Sequence, residues 1–307
     1  MDNIEILKQA LPYIRRYRNK TFVVKVGGEL VADEAVLDSL AADVSLLYQF
    51  GIRVVIIHGG GPQLSQLSEK LGIESEKING RRITDDSTLE LAKMVFAGGI
   101  STDILSGLRS HGTPGVGLSG VDGDLVVAKR RPPKRIVDKQ TGEERDVDFQ
   151  NVGDIETVDP QVLRVLLENR FVPVVASRGA DLQGNVLNIN AHPIAAEIAA
   201  TLPAEKFFVL TNVSGVLRDI EDPSSRVSYL TVSGVEQMID SKVIVGGMVP
   251  KLTAALGAVR SGVSRAHIIN GLQPNSLLYE VFTVSGHGTM ILGEEEEAAY
   301  LAEQVDA

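Results

Sequence analysis

The 307-residue chain has no cysteine and no tryptophan. Without cysteine there is no disulfide framework, no thiolate nucleophile and no Cys-ligated metal. That suits a reducing compartment, and a cytoplasmic protein is expected. Positive charge is also in short supply: 30 Lys and Arg stand against 40 Asp and Glu, a net charge of -10. Such a balance argues against a general nucleic-acid binder. The basic cluster Lys129-Arg-Arg-Pro-Pro-Lys-Arg135 holds no aromatic and reads as a solvated loop or hairpin. The five histidines, at 58, 111, 192, 267 and 287, show no metal-ligand spacing, so no metal site is expected. No apolar run reaches the ~18 residues of a membrane span. The N-terminus lacks the apolar core of a signal peptide, and no membrane partner is expected. Neither a G-x-x-x-x-G-K-[ST] P-loop nor the protein-kinase motif set occurs.

What is present is an alternation of periods. Residues 3 to 18 place Ile4, Leu7, Leu11 and Ile14 at helical spacing. Pro12 should divide that helix into two short pieces. Residues 22 to 26 and 53 to 57 read as buried strands, each followed by a helical pattern, 33 to 49 and 63 to 71. Strand, helix, strand, helix implies a parallel sheet covered on both faces, an α/β protein. Residues 87 to 110 form a long helix weakened at Gly98-Gly99, and 125 to 149 a charged hairpin turning at Thr141-Gly142. Further strands are expected at 172 to 176, 207 to 210 and 266 to 269. Pro173 is tolerable only near a strand's start or at an edge. Helices are expected at 193 to 201, 232 to 241 and 250 to 261, and the glutamates at 294 to 297 begin an acidic tail. No internal repeat is visible. The best division falls near 180 to 188, giving one continuous sheet with two functional halves. The units are an N-terminal helix, 1–20, then 21–185 and 186–307.

Three motifs carry the chemistry. Lys25 precedes Gly27-Gly28, Lys251 follows Gly246-Gly247, and His58-Gly-Gly-Gly-Pro62 lies between them. Glycine lets backbone N–H groups approach an anion, and lysine supplies a point charge. Singly, each has a plainer reading: Lys25 as a lysine snorkelling from an edge strand, the glycine run as a strand-to-helix turn, Lys251 as a surface cation. Together they suggest a site that neutralises a phosphoryl group in transfer, which needs positioning and charge more than covalent help.

The chain resembles the amino acid kinase superfamily, and within it the N-acetylglutamate kinases. The resemblance rests on Lys25-Val-Gly-Gly28, His58-Gly-Gly-Gly-Pro62, Asn79-Gly-Arg-Arg-Ile-Thr84, Leu118-Ser-Gly-Val-Asp-Gly123, Val152-Gly-Asp154, Leu187-Asn-Ile-Asn-Ala191 and Gly246-Gly-Met-Val-Pro-Lys251. It implies a three-layer αβα sandwich with a mainly parallel central sheet. The first half would bind the acyl amino acid and the second ATP, with Mg2+ carried on the ATP. Lys25 and Lys251 would flank the transferring phosphoryl group. Gly27, Gly28, Gly60 and Gly61 would donate backbone N–H bonds. Arg82 would pair with a substrate carboxylate, with Arg81 a nearby competitor, and Asn188 and Asn190 would touch substrate. Thr211, Asn212, Gly215, Gly247 and Met248 would line the nucleotide site. The implied reaction phosphorylates the side-chain carboxylate of N-acetyl-L-glutamate, a step of arginine biosynthesis.

Two positions depart from the family pattern. His192 stands where an Asp would hold the two lysines, and Asn212 where another Asp is usual. Asp122 and Asp181 are candidates, by composition, for a replacement carboxylate. Two other readings therefore stay open: a catalytically weak kinase-like arginine sensor, as in the kinase-like domain of acetylglutamate synthases, or a kinase of a related acyl amino acid. The N-terminal helix resembles that of arginine-inhibited relatives, which implies a homodimer or hexamer joined through it. Leu277-Leu-Tyr-Glu-Val-Phe-Thr283 and Gly286-His-Gly-Thr289 resemble their arginine site. Glu280, Gly286 and Gly288 would form it, with L-arginine as inhibitor. The plain alternative is a helix and strand packed in the core.

Overall fold

The computed structural model describes residues 3–138, 142–283 and 286–305. It opens on α1 (Asn3–Tyr17), which runs through Pro12 as one helix instead of two pieces. Leu11 and Pro12 are exposed, so water can serve the carbonyl that proline deprives of its partner. Then come β1 (Thr21–Val26), α2 (Glu34–Gln49), β2 (Arg53–His58) and α3 (Gly61–Lys70). A small ribbon follows, β3 (Lys77–Ile78) and β4 (Arg81–Arg82). Next, α4 (Asp86–Lys93) and α5 (Ser101–Ser110) are joined by a π-helical turn, Met94–Ile100. The expected long helix is thus continuous, and its glycines mark a change of winding, not a break. By length and composition the span Asp86–Ser110 could cross a membrane. Its Leu91, Phe96, Ile100, Ile104 and Leu108 are instead buried in the protein's own core.

After β5 (Gly115–Ser119), the charged stretch is more than a hairpin. β6 (Val126–Arg130) pairs antiparallel with β9 (Gly153–Val158), while β7 (Lys134–Val137) and β8 (Glu144–Val147) form the hairpin between them. Thr141, in its expected turn, lies outside the described residues. The chain continues through α6 (Gln161–Glu168), β10 (Val172–Ala176), β11 (Arg178–Ala180), β12 (Val186–Asn188) and α7 (Ala191–Thr201). It ends with β13 (Lys206–Thr211), β14 (Tyr229–Thr231), α8 (Val232–Asp240), α9 (Met248–Arg260), β15 (Arg265–Asn270), α10 (Ser276–Phe282), β16 (Thr289–Leu292) and α11 (Glu294–Val305).

The main sheet has eight strands in the order β14-β16-β15-β13-β1-β2-β10-β5. Its pairings are parallel except β15 with β16. Alternate residues of β1 divide between two apolar clusters: Val23 joins one with α7 and α9, while Phe22, Val24 and Val26 join another with α2 and α5. Helices therefore cover both faces, a three-layer αβα sandwich. Pro173 sits inside the sheet, but its strand pairs with β2 only from Val174 onward, so the missing N–H interrupts no ladder bond there. The strands from β15 to β5 all end at one edge of the sheet, and β16 and β14 run the other way. β1 and β13 are neighbours in the middle, so the loops after Val26 and after Thr211 open side by side.

Candidate active site

Lys25 is the one polar residue in β1 between buried valines, and it is 5% exposed. Burial pushes its pKa down to about 8; Glu29 opposes that shift and Lys251 adds to it. The lysine therefore stays mainly protonated at neutral pH. The carboxylate whose charge reaches it is Glu29, on the loop after Gly28, and neither Asp122 nor Asp181 does so. Asp122 Oδ2 accepts from the N–H and hydroxyl of Ser119. Asp181 accepts from Asn185 and Gln183 in an exposed turn.

The glycine loops close on one another. A Cβ on Gly28 would lie 2.8 Å from Pro62 Cδ and 3.3 Å from Gly60 Cα. Gln63 Nε2 donates to Gly28 O at 2.6 Å and fastens the two loops together. Gly60 caps α3 with no side-chain acceptor, and Gly247 caps α9 in the same way. By contrast Asp33 caps α2 and Asn190 caps α7. α3 and α9 both begin at glycine motifs, and their first-turn N–H groups have no side-chain cap competing with an anion. Lys251 lies in the first turn of α9, half-buried, and donates to Gly247 O at 3.2 Å.

His192 sits in the first turn of α7. Asn190 Oδ1 accepts from the His192 backbone N–H at 2.9 Å and from ring Nδ1 at 3.0 Å. An amide oxygen only accepts, so Nδ1 carries the proton and Nε2 keeps its lone pair. Nε2 is buried without a partner. Burial, then the charges of Lys25 and Lys251, push the ring down to about 3. The imidazole is thus neutral, and the repulsion that a protonated histidine would bring does not arise. His58, at the end of β2, is neutral too: burial holds it down at about 4, and its Nδ1 donates to Gly59 O.

The other expected substrate residues divide. Asn188 Nδ2 donates to Thr84 Oγ1 at 3.1 Å, which ties Asn188 to the 79–84 motif. Arg82 is held by the protein: it donates to Ser75 Oγ, to Ser65 Oγ at 2.6 Å and to Gly61 O at 3.2 Å. Arg81 is exposed. In the second half, Thr211 Oγ1 donates to exposed Asn212 Oδ1 at 3.3 Å. Gly215 has φ 122°, and a Cβ there would meet Thr289 Oγ1 at 2.5 Å, so only glycine fits. Met248 opens α9 beside Gly247.

The residues of the resembled arginine site form a buried chain. Glu280 Oε1 accepts from His267 Nδ1 at 2.7 Å, and Oε2 from the N–H groups of His287 and Gly288 at 2.8 and 3.0 Å. His267 Nε2 meets Lys206 Nζ at 3.0 Å, and Lys206 lies over the Tyr17 ring of α1 at 5.4 Å. Burial pushes the Glu280 carboxyl up, but the His267 hydrogen bond, the His287 amide and Lys206 outweigh it and hold it at about 2. Burial and Arg265 bring Lys206 down to about 7. Gly286 has φ 51°, and its missing Cβ leaves room for the Glu280 carboxylate. The described part of the segment is a helix, α10, and a strand, β16, with Leu277, Glu280 and Val281 buried. Sequence reasoning passed over Lys206 and His267, although a lysine opening a buried strand is itself a signal.

An αβα sheet with two glycine-cradled lysines at its carboxyl edge defines a phosphotransferase of the amino acid kinase type. The chain belongs to the amino acid kinase family, whose sequence profile matches residues 20–270. It is 43% identical to the acetylglutamate kinase of Methanothermobacter thermautotrophicus, over 95% of this chain and 99% of that one. Its fold is similar to the N-acetylglutamate synthase from Neisseria gonorrhoeae complexed with coenzyme A and N-acetyl-glutamate, with TM-score 0.81 and 28% identity. That match covers 96% of this chain but 64% of the synthase, so the chain spans under two thirds of its length. The same synthase complexed with coenzyme A and L-arginine matches with TM-score 0.78 and 26% identity, over 96% of this chain and 66% of that one.

Proposed function

We propose that this chain transfers the γ-phosphoryl group of ATP to the side-chain carboxylate of N-acetyl-L-glutamate, in the cytoplasm, as a step of arginine biosynthesis. The observation that carries the reading is the pair of lysines at glycine loops, Lys25 buried in β1 beside the joined Gly28 and Gly60 loops and Lys251 in the uncapped first turn of α9, with both charges reaching the neutral ring of His192. Near-full-length identity of 43% to an acetylglutamate kinase supports the substrate.

The acceptor carboxylate is ionised at neutral pH, so no general base is required. Catalysis reduces to bringing two anions together and neutralising charge as it moves. The N–H groups of Gly28, Gly60 and Gly61 hold the acceptor oxygen, with Asn188 and Asn190 beside it. Lys25 faces the transferring group from the acceptor side. Lys251 and the open N-terminus of α9 face it from the nucleotide side, where Thr211, Asn212, Gly215, Gly247 and Met248 border the ATP. Magnesium bound to the ATP phosphates would supply charge neutralisation there. His192 presents Nε2 as a neutral acceptor for an ammonium group, in the place of a carboxylate. Because it adds no negative charge, Lys25 retains a lower pKa than a carboxylate neighbour would give it.

L-arginine is proposed as the effector at Glu280, Gly286 and Gly288, and self-association through α1. Lys206 supports the link between them, since it touches both the Glu280 chain and Tyr17. ADP release coupled to a second enzyme tests the function. Turnover should require N-acetyl-L-glutamate, exceed that with aminoadipate or succinyl analogues, and fall with arginine. Arginine binding without any turnover would favour the sensor reading.

A further inference from the structure

Lys25 carries a charge that its immediate neighbours do not balance. It is buried, and among the described residues it makes no hydrogen bond or ion pair. Alternation along β1 places it with Val23, on the face covered by α7 and α9. From α7 that face receives His192, which is neutral, and from α9 Lys251, which repels. The residues beside Lys25 on β2 and β13 are Ile57 and Val209, which carry no charge. A buried ammonium group in such surroundings is costly unless a negative charge offsets it.

One carboxylate is placed to do so. Leu30 N–H donates to Gly27 O at 3.1 Å, closing a four-residue turn in which Glu29 is third. The turn folds the Glu29 side chain back over the end of the strand: a Cβ on Gly27 would lie 2.7 Å from Glu29 Cδ. Gly27 stands two residues beyond Lys25, so a carboxylate in that place lies on the lysine's side of the sheet. Glu29 is exposed and makes no hydrogen bond or ion pair of its own among the described residues. Its charge nevertheless reaches Lys25 and opposes the effect of burial. Resting on the proposed phosphoryl transfer, we infer that Glu29 is a positioning residue for Lys25, a standing counter-charge that keeps the ammonium group charged without pairing with it. A contact ion pair would occupy donors of Nζ that the transferring group needs. A carboxylate held off by the Gly27 backbone supplies the field and leaves all three donors free. Being exposed, it can turn to solvent when an anionic substrate arrives.

The test is a charge series in the full-length protein: wild type, Glu29→Gln and Glu29→Lys. Two curves are recorded from pH 6 to 10. One is kcat/KM for N-acetyl-L-glutamate. The other is labelling of Lys25 by acetic anhydride, read on its own peptide by mass spectrometry. Only the neutral amine reacts, so labelling follows the Lys25 proton whether or not the protein turns over. Both alkaline limbs should move to lower pH in the order wild type, Gln, Lys. An exposed charge acting over several ångströms moves a neighbour's titration by roughly 0.5 in pH. Above both limbs, kcat/KM of Glu29→Gln should therefore fall about 3-fold further than it does at pH 6.5. In 1 M KCl the three labelling curves should draw together, because an exposed carboxylate is screened. Labelling limbs that coincide at low salt in folded variants, or stay equally far apart in 1 M KCl, overturn the inference. Wild-type turnover with unmoved limbs overturns it alone and leaves the phosphoryl-transfer reading standing. Ordered labelling limbs with no turnover in any form uphold the counter-charge and overturn that reading instead.

Discussion

Asn190 holds His192 by two bonds to one oxygen, at the backbone N–H and at ring Nδ1. A residue that ordinarily caps a helix here also selects a tautomer. The proton is fixed on Nδ1, and Nε2 keeps a buried lone pair without a partner.

If that lone pair positions an ammonium group, its loss costs a hydrogen bond to a charged donor, about 1.5–3 kcal/mol, or ten- to a hundred-fold in kcat. His192→Phe should show that loss with little change in KM for ATP. His192→Asp should keep turnover and shift the alkaline limb of the pH profile upward, because a carboxylate raises the pKa of Lys25. Steady-state kinetics from pH 6 to 10 check both, and an unmoved limb in His192→Asp would separate His192 from Lys25.

Lys25 gives the profile its direction. Its pKa is lowered to about 8, so positive charge is lost as pH rises through that value. kcat/KM, which reports the free enzyme, should decline above pH 8. kcat should decline at higher pH, since bound phosphates favour the protonated form. Lys25→Met should lower kcat by about 10²–10³, the range for removing one charge-stabilising donor.

Gly60 is fixed by what lies behind it. A Cβ there would collide with Ile100 Cδ1 and Phe96 Cδ1, both part of the core. Gly60→Ala should cost about 1–3 kcal/mol by overpacking and displace the loop proposed to hold the acceptor. Denaturant melts should show the first effect, and a larger drop in kcat than in affinity for ATP the second. Gly61→Ala meets nothing within 4 Å and should leave stability near wild type.

Glu280 governs an acid transition. Its folded pKa, about 2, lies below the ordinary 4.5. Its contribution is therefore fully present above pH 4.5 and is lost as pH falls toward 2. The shift corresponds to roughly 3 kcal/mol at most. Glu280→Gln should lower Tm at pH 7 and flatten the slope of stability between pH 4.5 and 2. An undiminished slope would place the acid-sensitive group elsewhere.

The central strands were legible because both of their faces are buried, so β1 and β2 read as unbroken apolar runs around one lysine. β5 was not, since Gly115 and Gly117 stand where Leu105, Leu108 and Ser101 lean in, and no strand signal survives. The pairing of β6 with β9 spans a whole inserted hairpin, and no local pattern announces it. In the site, lysine and glycine spacing pointed to the loops that meet beside Lys25, while nothing local marked the bond by which Gln63 fastens them. The ionisation of His192 was equally hidden, because burial and a bond to Asn190 decide it.

The π turn at Met94–Ile100 carries a consequence of phase. Each residue advances an α-helix by ~100°, so winding one stretch more loosely resets the angle of everything beyond it. Phe96 and Ile100, inside that stretch, are the side chains that press on Gly60. Deleting Gly98 or Gly99 would let the helix relax to ordinary winding and rotate that wall away from the acceptor loop. Shortening this protein by one residue, far along the chain from Lys25 and Lys251, would thus reshape the Gly60 loop as surely as replacing a residue within it.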